Sequence, residues 1–468
     1  MFRYWIPLFL AVAAPAEEWT RFRGPNGTGI SADKGFPIEF GREKNLIWRT
    51  PVRAGKSSPV LTKTRVFLTG FENEKLYTQC LDRASGKLLW ERSEPRAHKQ
   101  DVQQLNHPAA ITPVTDGENV FVFFKDYGLI SYDAAGKLRW RAPLGAFTNT
   151  MGLGASPILA GDLLILQTDQ LANSYIAAYS ASNGELRWKS PRQESESWAT
   201  PMLHQPPGSP LQIVTAGAGQ LGSHRASDGK RMFSFPGVSA AMVASPVMGE
   251  DTIYAFGYGF ESPFPYATAL EASDKNKDGK ITADEYGDDA QLKAIGKYIG
   301  NGDGVVTEEK WAVWQKHIAG SSGLVALHLD RDDSAAIRPR QLWRFEKGFV
   351  GVVPSPLLFD EILYVVKNGG ILSAFDVKTG ETLKTGRITG APGGYSASPV
   401  LAEGRLYLAS EEGKISVVRP GREWEMLQVN DLGDGFFATP ALSGGRIFAR
   451  GSEAIYCFGN DGRVPRIQ

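Results

Sequence analysis

Cysteine is nearly absent: Cys80 and Cys457 are the only two among 468 residues. That excludes a disulfide framework, and their matching places in two repeats point to separate, packed thiols. Neither charge is in excess, with 51 basic against 51 acidic residues, which excludes the basic footprint of a dedicated nucleic-acid binder. After residue 14 no apolar run approaches the roughly 20 residues of a membrane helix. Adjacent cysteines, a Cys-x-x-Cys-His haem attachment and a Gly-x-Ser-x-Gly elbow are missing. The histidines at 98, 107, 204, 224, 317 and 328 show no metal-ligand spacing. Gly217 to Gly222 fits Gly-x-Gly-x-x-Gly, but no helical pattern follows it, so these read as turn glycines.

What is present begins with an export signal over 1–16: Arg3, an apolar stretch from Trp5 to Ala14, and Ala14-Pro15-Ala16 as a small-residue cleavage site. Cleavage would leave Glu17 first, and no cysteine follows to carry a lipid. A periplasmic or secreted protein without a membrane span is expected, and a monomer. With 52 Gly, 28 Pro and 11 Trp the chain reads as many short strands joined by tight turns.

A phrase recurs: Ser or Thr, then Pro, then an apolar strand. It stands at Ser58-Pro59, Thr112-Pro113, Ser156-Pro157, Thr200-Pro201, Ser245-Pro246, Ser355-Pro356, Ser398-Pro399 and Thr439-Pro440. The prolines are 54, 44, 44, 45, 110, 43 and 41 residues apart, the length of one four-stranded propeller blade. A second phrase, Asp, turn Gly, then aromatic, is complete at Asp82, Gly86 and Trp90 and repeats at Asp133, Gly136 and Trp140. It weakens to Phe233 and Leu383 in later copies. Eight units give an all-β, eight-bladed propeller. The last unit lacks an outer strand before the chain stops, and Asn45 to Arg49 has the look of that strand, closing the ring from the other end.

These phrases resemble the PQQ-like propeller repeat, and Leu81 to Trp90 matches it almost throughout. The opening Trp19 to Gly29 also looks like the head of a bacterial branch of that group. The resemblance implies the quinoprotein-like fold. It leaves function open, because the repeat serves quinoprotein alcohol dehydrogenases and non-enzymatic assembly propellers of the BamB kind alike.

The step of 110 residues exceeds the others by about 66, enough for a small α-helical module set into one blade. Within it Asp274, Asn276, Asp278, Lys280, Thr282 and Glu285 occupy the ligand positions of a twelve-residue EF-hand loop, with Gly279 at the sharp turn. Calcium is the expected ion; three lysines in the loop predict a Kd on the order of 10⁻⁴ M. A second loop runs through Asn301, Asp303, Gly304 and Val306, but Ile299 and Lys310 replace its first and twelfth ligands. It is expected to survive as a partner pairing Val306 with Ile281.

The chain thus divides into signal 1–16, extension 17–44, propeller 45–258, EF-hand insertion 259–323, propeller 324–462 and tail 463–468. Loops leading into the inner strands should rim one mouth of the ring with Lys56, His107, Asn149, Trp198, Tyr395 and Phe437. The favoured reading is a non-catalytic scaffold for a protein or envelope ligand. The alternatives are a PQQ- and calcium-dependent oxidoreductase, for which a working quinone site is not expected, and a carbohydrate-binding or carbohydrate-active propeller.

Overall fold

The computed structural model describes residues 18–99, 106–149, 151–259, 264–299, 302–318, 322–331, 337–346 and 352–460. The expected signal segment 1–16 and the tail 463–468 lie outside the described residues. The strands form eight sheets, wound from an inner strand outward in chain order except where the chain's first strands join the seventh and eighth. All eight inner strands begin on the residue directly after the repeat proline, from Val60–Leu61 to Ala441–Ser443. A proline there removes no ladder hydrogen bond.

Alternation along the strands explains why the blades stack. The third strand of the third blade, Tyr175–Ser180, is buried at every position, whereas its outer strand Leu186–Pro191 is mostly open to solvent. A middle strand covered on both faces reads as a continuous apolar run, and the rim reads polar. Strand Leu46–Pro51 pairs antiparallel with Ala454–Phe458, Trp48 opposite Cys457, so the eighth blade is closed by the chain's beginning, as the sequence predicts. Cys80 lies opposite Trp90 in the first blade, the equivalent place, and both cysteines are buried and outside any disulfide.

In every blade the pairing of the outer strand slips at the second phrase, for instance between Leu138 and Trp140. A bulge re-aims the side chain it carries. The tryptophan is turned onto the next blade, where it meets the turn glycine. Trp48, Trp90, Trp140, Trp188 and Trp343 cover Gly86, Gly136, Gly184, Gly229 and Gly380, and a Cβ on any of these glycines would lie 2.4 to 2.6 Å from the indole. Each indole N–H donates to a carbonyl in that turn: Arg83, Ala134, Ala181, Ala226 and Val377 at 2.8 to 3.2 Å. Glycine is required twice over, since φ at Gly136 is +78°. Where Leu383 replaces the tryptophan, Trp424 of the following blade folds back over Gly386 and accepts from Lys384 Nζ through its carbonyl.

The repeat hydroxyls make a second, inner connection. The amide of Ser58 donates to Thr112 Oγ1, that of Thr112 to Ser156, and so on through Thr200, Ser245, Ser355, Ser398 and Thr439, whose amide returns to Ser58 Oγ. Eight bonds of 2.9 to 3.1 Å close on themselves around the axis.

The extension is built into this core. Trp19 bridges Leu61 of the first blade, the Thr20 carbonyl accepts from Thr115 of the second, Asn26 bonds Leu203 of the fourth, and Ile30–Ser31 adds a parallel strand inside the seventh. Phe36 and Phe40 then pack with the seventh and eighth blades on the way to the closing strand. No described helix is long and apolar enough to cross a membrane.

The insertion leaves the fifth blade between Gly257 and Gly323, which pair with each other across the hairpin. Its helices are α1 (Tyr266–Ser273), α2 (Ala290–Tyr298) and α3 (Glu308–Ile318). Asp289 caps α2 by accepting from the amides of Gln291 and Leu292.

Candidate functional site

The Ser/Thr ring borders an axial cavity of about 290 Å³. All eight ring residues line it, with Phe22, Met151, Trp198, Tyr258 and Phe437 as apolar and aromatic wall and Lys56 at the rim. Phe22 comes from the extension, and its neighbours fasten it. Arg21 donates to the Pro201 carbonyl and Arg23 to that of Pro356, each at 2.6 Å.

Of the six rim residues expected from sequence, Lys56, Trp198 and Phe437 line the cavity. The Lys56 ammonium sits 4.4 Å from the centre of the Phe437 ring, a cation–π contact. Burial pushes its pKa down, and Glu411 across the mouth opposes that. The Trp198 indole is fixed by donating to the Gly152 carbonyl at 2.8 Å.

The other three are turned away, and the reason is local in each case. His107 Nδ1 accepts from the amide of Ala109, and burial with the surrounding cations Arg450, Lys56, Lys125 and Arg96 pushes the imidazole down to about 4. Asn149 bridges the amide of Met151 and the carbonyl of Asp169 and is buried. The Tyr395 hydroxyl donates to the Ala391 carbonyl, and burial pushes it up to about 12. Their neighbours Asn106, Met151 and Ser396 face the cavity instead. The hydroxyl ring and Phe22 were missed altogether. The Ser/Thr choice at every repeat was the signal for the ring; for Phe22 the cluster Gly24, Gly27 and Gly29 beside Trp19 was the available hint, since Gly24 lies directly under that indole.

The quinone reading asks for acidic side chains on the axis to hold its calcium. Among the described residues the cavity wall contains no Asp or Glu, so the wall does not fit that group.

The second candidate is the loop between α1 and α2. Ile281 and Val306 exchange both backbone hydrogen bonds, at 3.1 and 2.9 Å, so the two loops are paired. Tyr266 ties them by donating to the Val306 carbonyl at 2.8 Å. Asp274 accepts from the amides of Lys277 and Gly279, Asn276 from Asp278, and Asp278 from Lys280. Glu285 accepts from the amides of Lys275, Asn276 and Thr282 and from the Thr282 hydroxyl, and these donors hold its carboxyl down at about 2. Oxygen donors of the right kind and register for a hard divalent cation are therefore gathered, and the Lys280 carbonyl completes the set. Among the described residues no three His, Cys, Asp or Glu side chains stand close enough to share an ion. The carboxylates are aimed at the loop's own amides, and an ion would have to draw them inward.

In the partner loop the Lys310 ammonium donates to Asp303 Oδ1 at 2.6 Å and to the Val305 carbonyl at 2.8 Å. A lysine in the twelfth position thus supplies the positive charge from within. Asn301 lies outside the described residues.

No curated protein matches this chain. Among solved structures it is similar to BamB from Moraxella catarrhalis, at 12% identity and a TM-score of 0.51 over 92% of this chain and 100% of that one. It is likewise similar to a europium-containing methanol dehydrogenase, at 10% and 0.59 over 93% and 89%. The computationally designed protein Ika8 aligns at 12% and 0.55 over 89% and 99%. Identities this low speak for the fold alone. The family profile described as outer membrane protein assembly factor BamB matches residues 41–145, 77–276 and 308–463, reaching into the helical insertion from both sides, and the chain belongs to that family of PQQ-like propellers.

Proposed function

We propose that this is an exported, non-catalytic propeller scaffold that holds a protein or envelope ligand at its axial mouth, with calcium stiffening the inserted module. One observation carries the reading: eight ring hydroxyls and the aromatic side chains of Phe22, Trp198, Tyr258 and Phe437 converge on one axial cavity. Concave, mostly apolar sites with a few convergent polar groups are where ligands bind. Membership of a family described as an assembly factor agrees with a protein partner.

The test places a photo-crosslinking amino acid at Met151, on the wall, and at exposed Leu186, on the outer rim, in otherwise intact protein. Discrete adducts from position 151 that disappear with Trp198→Ala, and no such adducts from 186, are expected. Equal labelling from both positions would sink the reading. So would dye reduction over a panel of alcohols and sugars on adding PQQ and calcium, abolished by chelator.

A further inference from the structure

The structure assigns an anion-binding site to the propeller axis, built from the ring of eight Ser/Thr hydroxyls above Arg21 and Arg23. It goes beyond the scaffold reading by giving the cavity a ligand chemistry, and rests on that reading only in taking the cavity as a binding site.

The hydroxyls come first. Each ring oxygen accepts one amide hydrogen from the preceding blade, so its own O–H is the group left to point at the axis. The ring side of every blade is deeply buried, Ser58 at 2% and Ser245, the most open of the eight, at 7% exposed. Among the described residues none of these hydroxyl hydrogens has an acceptor. Donors held without a protein acceptor favour a ligand that accepts from them, and eight of them converge on one cavity.

The charge comes second. Arg21 and Arg23 are 6% and 0% exposed, and each is tied to backbone carbonyls rather than to a carboxylate. Arg21 Nε and both Nε and Nη1 of Arg23 have no partner among the described residues. Burial pushes both guanidinium groups down to about 9, and Arg21 itself adds to the effect on Arg23. At neutral pH both remain charged, and each bonds the carbonyl directly after a ring residue, Pro201 after Thr200 and Pro356 after Ser355, so two cations lie beside the ring with no carboxylate bonded to either among the described residues. Leaving a buried charge unpaired costs several kcal/mol. Donors without acceptors and cations without anions are two halves of one requirement, which a carboxylate, phosphate or halide on the axis fulfils.

Crystals of the full chain soaked in bromide should give an anomalous peak on the axis within hydrogen-bonding reach of the ring. In solution, inorganic phosphate at fixed ionic strength should raise the melting temperature by a few degrees, saturably. Arg21→Met with Arg23→Met should lose that rise, while Arg23→Lys should keep part of it. A tripeptide with a free C-terminal carboxylate, compared with its amide, separates two sources of the anion. Competition with phosphate by the acid alone marks the end of a longer ligand; no competition marks a free ion. An axis holding only water, together with the absence of a saturable phosphate effect on the wild-type protein, would overturn the inference. That outcome would leave the crosslinking result standing, so the two proposals fail separately.

Discussion

The ring and the inserted module solve the same problem, holding loops in place, by different means. In the ring every junction carries a hydroxyl-on-amide bond, and five of the eight add tryptophan on glycine, with Trp424 on Gly386 at a sixth. In the module the two loops share one backbone bridge, and the first keeps a set of acidic side chains facing its own amides. The neighbouring loop, with Lys310 on Asp303, shows what a self-sufficient version looks like. A structure repeated eight times can rely on many modest contacts. A small insertion with a core of about nine buried side chains has fewer to rely on, and leaves room for an ion to decide its stability.

The sharpest way to break this comparison is to remove a blade junction. Trp140→Ala deletes an indole 8% exposed that touches the third blade and Gly184; a loss of about 3 to 5 kcal/mol in urea unfolding is expected. Trp314→Ala, in the module core, should lower only a module transition and leave the ring's midpoint alone. If it unfolds the ring equally, the two regions are not separate.

Calcium should act on the module only. At about 10 mM, a hundredfold above a Kd on the order of 10⁻⁴ M, it should stabilise by about 2.7 kcal/mol. Terbium luminescence sensitised by Trp311 reads the same site. Glu285→Gln should abolish both responses, and Lys310→Ala should loosen the second loop whether or not calcium is present.

Gly184→Ala puts a methyl group 2.6 Å from Trp140 at a φ of +77°, and about 1 to 3 kcal/mol should be lost. Acid should weaken the ring before the module. His107 and His224 are pushed down to about 4 and 3 by burial and nearby cations. Unfolded histidines bind protons below about 6.5. Stability is therefore full above that pH and falls as pH drops toward 4, by at most about 1.4 kcal/mol per pH unit and histidine. Glu285, held down near 2, loses its contribution only in stronger acid. A chemical denaturation series from pH 7 to 4 reads the order.

Much of this was legible in the residues because repetition amplifies weak signals. Eight Ser/Thr-Pro pairs fixed the blade count, and Asn45 to Arg49 announced the closing strand by matching the outer strands without a blade before it. The pairing of Ile281 with Val306 followed from the spacing of the two loops. Side-chain direction was less legible. His107, Asn149 and Tyr395 stand in the right loops, yet nearby backbone groups outcompete the cavity for them. The course of residues 18–31 carries no period, so nothing local says that they cross the axis.

The closing strand has a consequence for how the chain matures. Residues 46–51 wait for 454–458, about four hundred positions later, a pairing between nearly opposite ends of the chain. Such contacts slow folding and leave a strand edge bare until they form. The first segment likewise depends on late arrivals, since Arg23 and Ile30 need Pro356 and Leu401. A chain cut short before Thr439 therefore lacks the eighth blade's inner strands, a closed hydroxyl ring and an edge partner all at once. It is recognisable as unfinished, because completion is signalled only when the two ends meet.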